Sequence, residues 1–66
     1  MIDEHDVVYA LKNLSENVSM GCVGTVVFIY EDPDLVYEVE FFYDKNDMVY
    51  TSEVLMVFPD DIEKTL

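Results

Sequence analysis

Across residues 35–43 the side chains alternate with a period of two. Leu35, Tyr37, Val39, Phe41 and Tyr43 fall on one face, and Val36, Glu38, Glu40 and Phe42 on the other. A β-strand sorts side chains in this way, because successive residues point to opposite faces of a sheet. One face is almost wholly apolar and has to be buried, so the segment requires other elements folded over it. The core they enclose is small, since the chain has 66 residues. Size scaling gives a folded surface of roughly 4,300 Å², with about 60% of the extended chain's surface removed from water.

The flanking residues read as further strands and turns. Residues 5–12, centred on Val7-Val8-Tyr9-Ala10-Leu11, suit a short buried strand, and residues 13–21 carry turn formers without a period and form a loop. Residues 22–31 are apolar on both faces, as in a central strand, and Gly24 within them marks a bulge or a close backbone approach. Asp32-Pro33-Asp34 is a turn, and Asp44-Lys45-Asn46-Asp47 is a four-residue hairpin connection to a return strand over 48–56. After Val57-Phe58, residues 59–63 form one helical turn with Asp60 as its cap and Glu63 three residues on, and residues 64–66 add a last short strand. The expected fold is all-β, one domain over 1–66. It is a small SH3-like barrel or strongly bent antiparallel sheet of four to five strands, with a short helical turn near the C-terminus.

Pairing Tyr43 with Met48 sets Tyr37, Val39 and Phe41 opposite Val54, Ser52 and Tyr50 on the inner face. Outside, Glu38 then meets Glu53, Glu40 meets Thr51 and Phe42 meets Val49. A slip of one residue would turn glutamates inward; a slip of two preserves the faces. The aromatic residues Tyr9, Phe28, Tyr30, Tyr37 and Phe41 are expected mostly in the core.

Charge and composition narrow the function. Three Lys and no Arg oppose fifteen Asp plus Glu, for a net charge of −12, yet 52% of the chain is hydrophobic. That apolar share separates it from disordered acidic tails. The acidic balance speaks against nucleic-acid binding, which needs Lys and Arg on phosphates. Cys22 is the only cysteine, so an internal disulfide is excluded, and with His5 alone it makes no zinc site. Cys22 suits a small core position. Calcium loops starting at Asp32 or Asp44 carry Tyr43 or Leu55 where the twelfth-position Glu belongs, and neither has the central Gly. His5 stands near a terminus, away from any nucleophile, so catalysis is not expected. No cofactor is implied. The acidic N-terminus does not resemble a signal peptide and no apolar run reaches membrane-spanning length, so a cytoplasmic protein is expected.

The order Asp6-Val7-Val8-x-x-Leu11, a loop ending at Gly21, Val23-Gly24-Thr25-Val26-Val27 and then Tyr37-Glu38-Val39-Glu40-Phe41 resembles a family of small bacterial SH3-like proteins, domain of unknown function 4926. The likeness spans nearly the whole chain. It implies an SH3-like fold, and an association of some such families with toxin modules implies an immunity partner.

On the residues themselves, the outer carboxylates stand out. Glu38, Glu40 and Glu53 are expected together on one face with no Lys or Arg in either strand, and like charges across strands destabilise by up to about 1 kcal/mol. A solvated face kept for solubility is the plain explanation, although mixed charges would serve that at lower cost. The alternative is a docking face for a cationic protein, with Phe42, Val36, Val49 and Leu55 as apolar anchors. Asp32, Asp34, Asp44, Asp47, Asp60 and Asp61 extend the negative field from the loops. The function expected is a non-catalytic immunity protein that neutralises a basic toxin, a nuclease and first among them an RNase. A nucleic-acid mimic of the anti-restriction or anti-CRISPR kind is one alternative. An accessory module docking through Leu55-Met56-Val57-Phe58 is another. Open strand edges also allow a homodimer.

Overall fold

The computed structural model describes residues 1–45 and 49–65, those at 45, 49 and 50 by backbone alone. Five strands form one sheet: β1 (Val7–Ala10), β2 (Val23–Tyr30), β3 (Val36–Lys45), β4 (Val49–Val57) and β5 (Ile62–Lys64), in the order β4-β3-β2-β1-β5. Every neighbouring pair is antiparallel. β1 to β4 form a meander. A single 3-10 turn (Pro59–Asp61) then carries the chain back to set β5 beside β1. β4 and β5 end the order and do not pair, so the sheet is bent but open rather than a closed barrel.

The bend has two local causes. Gly24 pairs with Phe41 at the point where β2 crosses closest to β3. A Cβ there would lie 2.8 Å from the Glu40 carbonyl oxygen, 2.8 Å from Val39 Cγ1 and 2.9 Å from Phe41 Cδ1. Only hydrogen fits. Three residues on, β2 carries a bulge at Val27, which is left between the pairs Val26–Val39 and Phe28–Glu38. An inserted residue reverses which face the following side chains occupy. Val26 is therefore buried, whereas Ile29 rather than Phe28 packs toward the core after the bulge. Phe28 and Tyr30, expected inside, are 46% and 40% exposed and stack edge-to-face on each other. The expectation for them fails because a uniform period was carried through the bulge.

β3 behaves as its alternation requires, with Tyr37, Val39 and Phe41 buried. Across from them, β4 is shifted by three residues from the expected register: Tyr37 meets Val57, Val39 meets Leu55 and Phe41 meets Glu53. An odd shift exchanges the faces of the whole strand. The pairing of Tyr43 with Met48 therefore fails: Tyr43 meets Thr51, and the shift brings Val57, 2% exposed, and Leu55 onto the core side. Val54, expected inside, is instead 51% exposed. β3 also runs on through Asp44 and Lys45, which the sequence assigned to the hairpin connection. The remaining Asn46 and Asp47 lie outside the described residues.

The rest of the core comes from Val8 and Ala10 of β1, Ile62 of β5 and Val18. Val18 is supplied by the 11–22 loop, which folds over one end of the sheet. Ser15 Oγ accepts from the Val18 and Asn17 amides, Asn13 Oδ1 accepts from the Met20 amide, and the Val18 carbonyl accepts from the Leu14 and Ser15 amides. The turn formers thus hold a plug rather than a solvated connection.

In the 3-10 turn the capping carboxylate is Asp61, not Asp60. The Phe58 amide donates to Asp61 Oδ2 at 2.8 Å, and the Lys12 ammonium lies 3.0 Å from Asp61 Oδ1. The Phe58 amide first, and Lys12 after it, hold the Asp61 carboxyl below the usual carboxylate range. A lowered folded-state value means that the stabilisation is present above the unfolded-state pKa, near 3.9, and is lost as pH falls through the folded value.

Two outcomes follow for stability. Gly24→Ala is expected to cost about 1–3 kcal/mol in urea unfolding, since two of its three clashes are with β3 backbone and a β-branched side chain. Asp61→Ala is expected to cost about 1 kcal/mol at pH 7. Its melting temperature should converge on that of the parent protein as pH falls through the lowered folded-state value and the parent carboxylate protonates.

Candidate functional site

The outer face of the sheet is built on β3, whose Val36, Glu38, Glu40 and Phe42 point away from the core side chains Tyr37, Val39 and Phe41. Register fixes what stands beside each glutamate. Glu38 lies between Phe28 of β2 and Met56 of β4, and Glu40 lies between Thr25 and Val54. The two carboxylates are two residues apart on one face, about 7 Å along the strand. Each takes one side-chain hydrogen bond: Tyr30 Oη donates to Glu38 Oε1 at 2.8 Å, and Ser52 Oγ donates to Glu40 Oε2 at 2.8 Å. Glu38 in turn pushes the Tyr30 phenol above its ordinary pKa, since ionising it would break that bond.

Around this pair the face is apolar and open to solvent. Val54 and Met56 are 51% and 56% exposed, and Phe42, Phe28, Val23 and Val7 are exposed as well. Among the described side chains, no cation balances the glutamates from the adjacent rows. Lys12 is paired with Asp61, and Lys64 with Asp6 at 3.3 Å, both on the β1–β5 side; Lys45 is the last residue of β3.

Glu53 does not join the pair. The three-residue shift sets it opposite Phe41, on the inner side of the sheet, where Asn17 Nδ2 donates to Glu53 Oε1 at 3.2 Å. Leu55 goes with it and packs against the core instead of anchoring the outer face. Phe42 and Val36 take the places expected of them, and the Val49 side chain lies outside the described residues. Among the loop carboxylates, Asp32 and Asp34 are exposed in the β2–β3 turn, Asp44 near the far end of β3 and Asp60 in the 3-10 turn. Asp61 is held by its cap and by Lys12, and Asp47 lies outside the described residues. Sequence reasoning missed Val54, Met56 and Phe28 as the apolar rim. The signal able to find Val54 and Met56 was Val57 as a buried strand residue, which fixes the parity of β4; Phe28 is turned out by the bulge in β2, which the sequence does not mark.

Little here suggests covalent or metal chemistry. Cys22 is half-buried against the core and its thiol donates to the Phe42 carbonyl at 3.2 Å; burial pushes its pKa up, which keeps it protonated. Among the described residues, no three His, Cys, Asp or Glu side chains gather as metal ligands. No helix among them is long and apolar enough to cross a membrane.

Residues 4–63 match the family model described as Domain of unknown function (DUF4926). The chain belongs to this family. No curated protein and no solved structure matches it. The DUF4926 span takes in β1 to β4 whole, and with them the entire outer face.

The Tyr30–Glu38 bond has a direct check. In Glu38→Gln, the Tyr30 hydroxyl is expected to titrate closer to the ordinary tyrosine value, followed by ring resonances in NMR. An unshifted titration would show that the two groups do not meet.

Proposed function

We propose that this DUF4926 protein is a non-catalytic binding protein of the cytoplasm that neutralises a cognate basic toxin, a nuclease with RNase favoured, by stoichiometric complex formation. The observation that carries this is the placement of Glu38 and Glu40 in the middle of an exposed apolar sheet face with no cation beside them among the described side chains. Contiguous exposed apolar surface marks interaction sites. Phe and Met are enriched where protein partners meet, while charge at the centre of such a patch selects a partner of opposite sign. A net charge of −12 adds a long-range field. Such a field raises encounter rates by about 10-fold to 1,000-fold at low salt. Speed matters for an inhibitor that has to intercept a nuclease before it cuts. Carboxylates on a rigid strand also suit Arg and Lys side chains that otherwise hold phosphate, through charge-assisted hydrogen bonds. The toxin as partner comes from the resemblance to immunity families; the cationic chemistry comes from the face.

Titration calorimetry against the product of a neighbouring toxin-like gene is expected to give one-to-one binding and loss of nuclease activity at equivalence. In the double variant Glu38→Lys with Glu40→Lys, association should slow by about tenfold or more and lose most of its salt dependence. Unfolding stability should hold or rise, because the two reversals lower the net charge from −12 to −8 and with it the self-repulsion of the molecule. An unchanged on-rate would place the contact elsewhere.

A further inference from the structure

The outer edge of β4 is the least protected part of the sheet. β4 pairs with β3 along nine consecutive residues without a break in register, and among the described residues no strand lies on its other side. An edge strand presents alternate N–H and C=O groups outward, and proteins ordinarily blunt such edges with Lys, Pro, bulges or extreme shortness. The segment Val49–Val57 contains no Lys, Arg or Pro. The opposite edge shows the contrast: β5 has three residues, one of them Lys64. The bulge that the fold does contain lies in β2, inside the sheet.

We propose that the β4 edge is a strand-pairing site for an extended cationic segment of a protein partner, which adds as a sixth strand beside β4. This deepens the reading of a basic partner above and rests on it for the partner's charge. Main-chain hydrogen bonds would supply affinity, and alternate side chains the specificity. On the outer face, side chains of the added strand lie beside Ser52, Val54 and Met56 of β4. Glu38 and Glu40 stand one row further in, two strand spacings or about 10 Å from the added backbone. That is within reach of Lys or Arg stems laid over Val54 and Met56, which keep their charged ends at the carboxylates.

Charge chooses between occupants. Glu53 is the middle residue of β4, so antiparallel pairing with a second copy along the whole strand sets each Glu53 opposite its equivalent. Like charges directly opposed across strands destabilise, and each copy brings a further −12. A cationic strand reverses the sign of both effects.

The test uses the full chain and a synthetic peptide of alternating Lys and Val, with amide exchange and chemical shifts read by NMR at low salt. Two analogues carry backbone N-methyl groups on one or the other alternate set of residues, so that only one of them loses the donors facing β4. The unmodified peptide is expected to slow exchange of alternate β4 amides by about tenfold. One analogue should bind about tenfold more weakly, and the other like the parent. Equal binding by both analogues, no protection in β4, or no binding of any peptide would each overturn the proposal. So would β4 protection that grows with protein concentration alone and a doubled mass, which would make a second copy the occupant. The Glu38→Lys with Glu40→Lys variant separates the two readings. If it loses the peptide while both analogues still bind the parent protein alike, the charged face stands and the edge fails. If β4 protection persists in it at undiminished affinity, the edge stands and the glutamate face fails.

Discussion

The structure turns on the close passage of β2 over β3 at Gly24. With no side chain there, the two backbones approach until Val39 and Phe41 close over the space a Cβ would occupy. The same contact lets Val26 reach the core beside Val39 before the bulge at Val27 re-aims the rest of β2. Everything that distinguishes the outer face follows. Because β2 changes face at Val27, Phe28 is turned out beside Glu38 rather than in beside Tyr37. Because Val57 must close the core over Tyr37, β4 turns Val54 and Met56 out and Glu53 in. The solvated apolar rim is therefore a consequence of how a very small core is filled, and it falls chiefly on β2 and β4, away from the two lysine pairs.

How much of this was visible in the sequence depends on how far a single periodicity holds. β3 was legible because its alternation runs unbroken from Val36 on, and its inner and outer sets are as read except for Leu35, which precedes the strand and is 40% exposed. Gly24 was legible as a close approach, because a glycine amid β-branched residues has few other reasons to be there. The bulge one turn of the pleat later was not, since Val26-Val27-Phe28 is apolar throughout and gives no mark of which residue is extra. The β4 register was lost at the hairpin: with Tyr43 paired to Met48 rather than to Thr51, parity came out reversed and Glu53 was grouped with Glu38. The plug residue Val18 was hidden for a different reason. A lone apolar side chain among turn formers has no period at all, and its burial depends on where the loop folds back. Of the candidate site, Glu38, Glu40 and Phe42 sit together as read because all three lie on β3; the partners from β2 and β4 depended on the two features that periodicity does not encode.

The distribution of the three lysines carries a further lesson. Surface ion pairs contribute little each, typically up to about 1 kcal/mol. A three-residue strand such as β5 nonetheless has few other means of attachment. Lys64 reaches Asp6 from β5 itself, and Lys12 reaches Asp61 in the turn that precedes it, so both pairs fasten the seam where the chain returns to β1. Tyr9 adds a third link there by donating to Glu63 at 2.6 Å. These two cations are committed to the seam of the shortest strand. The longer β3–β4 pair holds together by its ladder and apolar inner face and tolerates uncompensated carboxylates.

Net charge and the exposed β4 edge then become two sides of one design. A long, flat, unblunted edge in a neutral protein would invite pairing between copies, and the usual remedies place a lysine, a proline or a bulge in the strand itself. Those remedies also close the edge to every other strand. A charge of −12 spread over the whole molecule, with Glu53 at the middle of β4, repels like copies while leaving the backbone groups free. The discrimination is between charges rather than between open and closed. On the proposal of a cationic strand at this edge, such a molecule would stay apart from itself and remain available to a strand of opposite sign, which a sterically blocked edge does not permit.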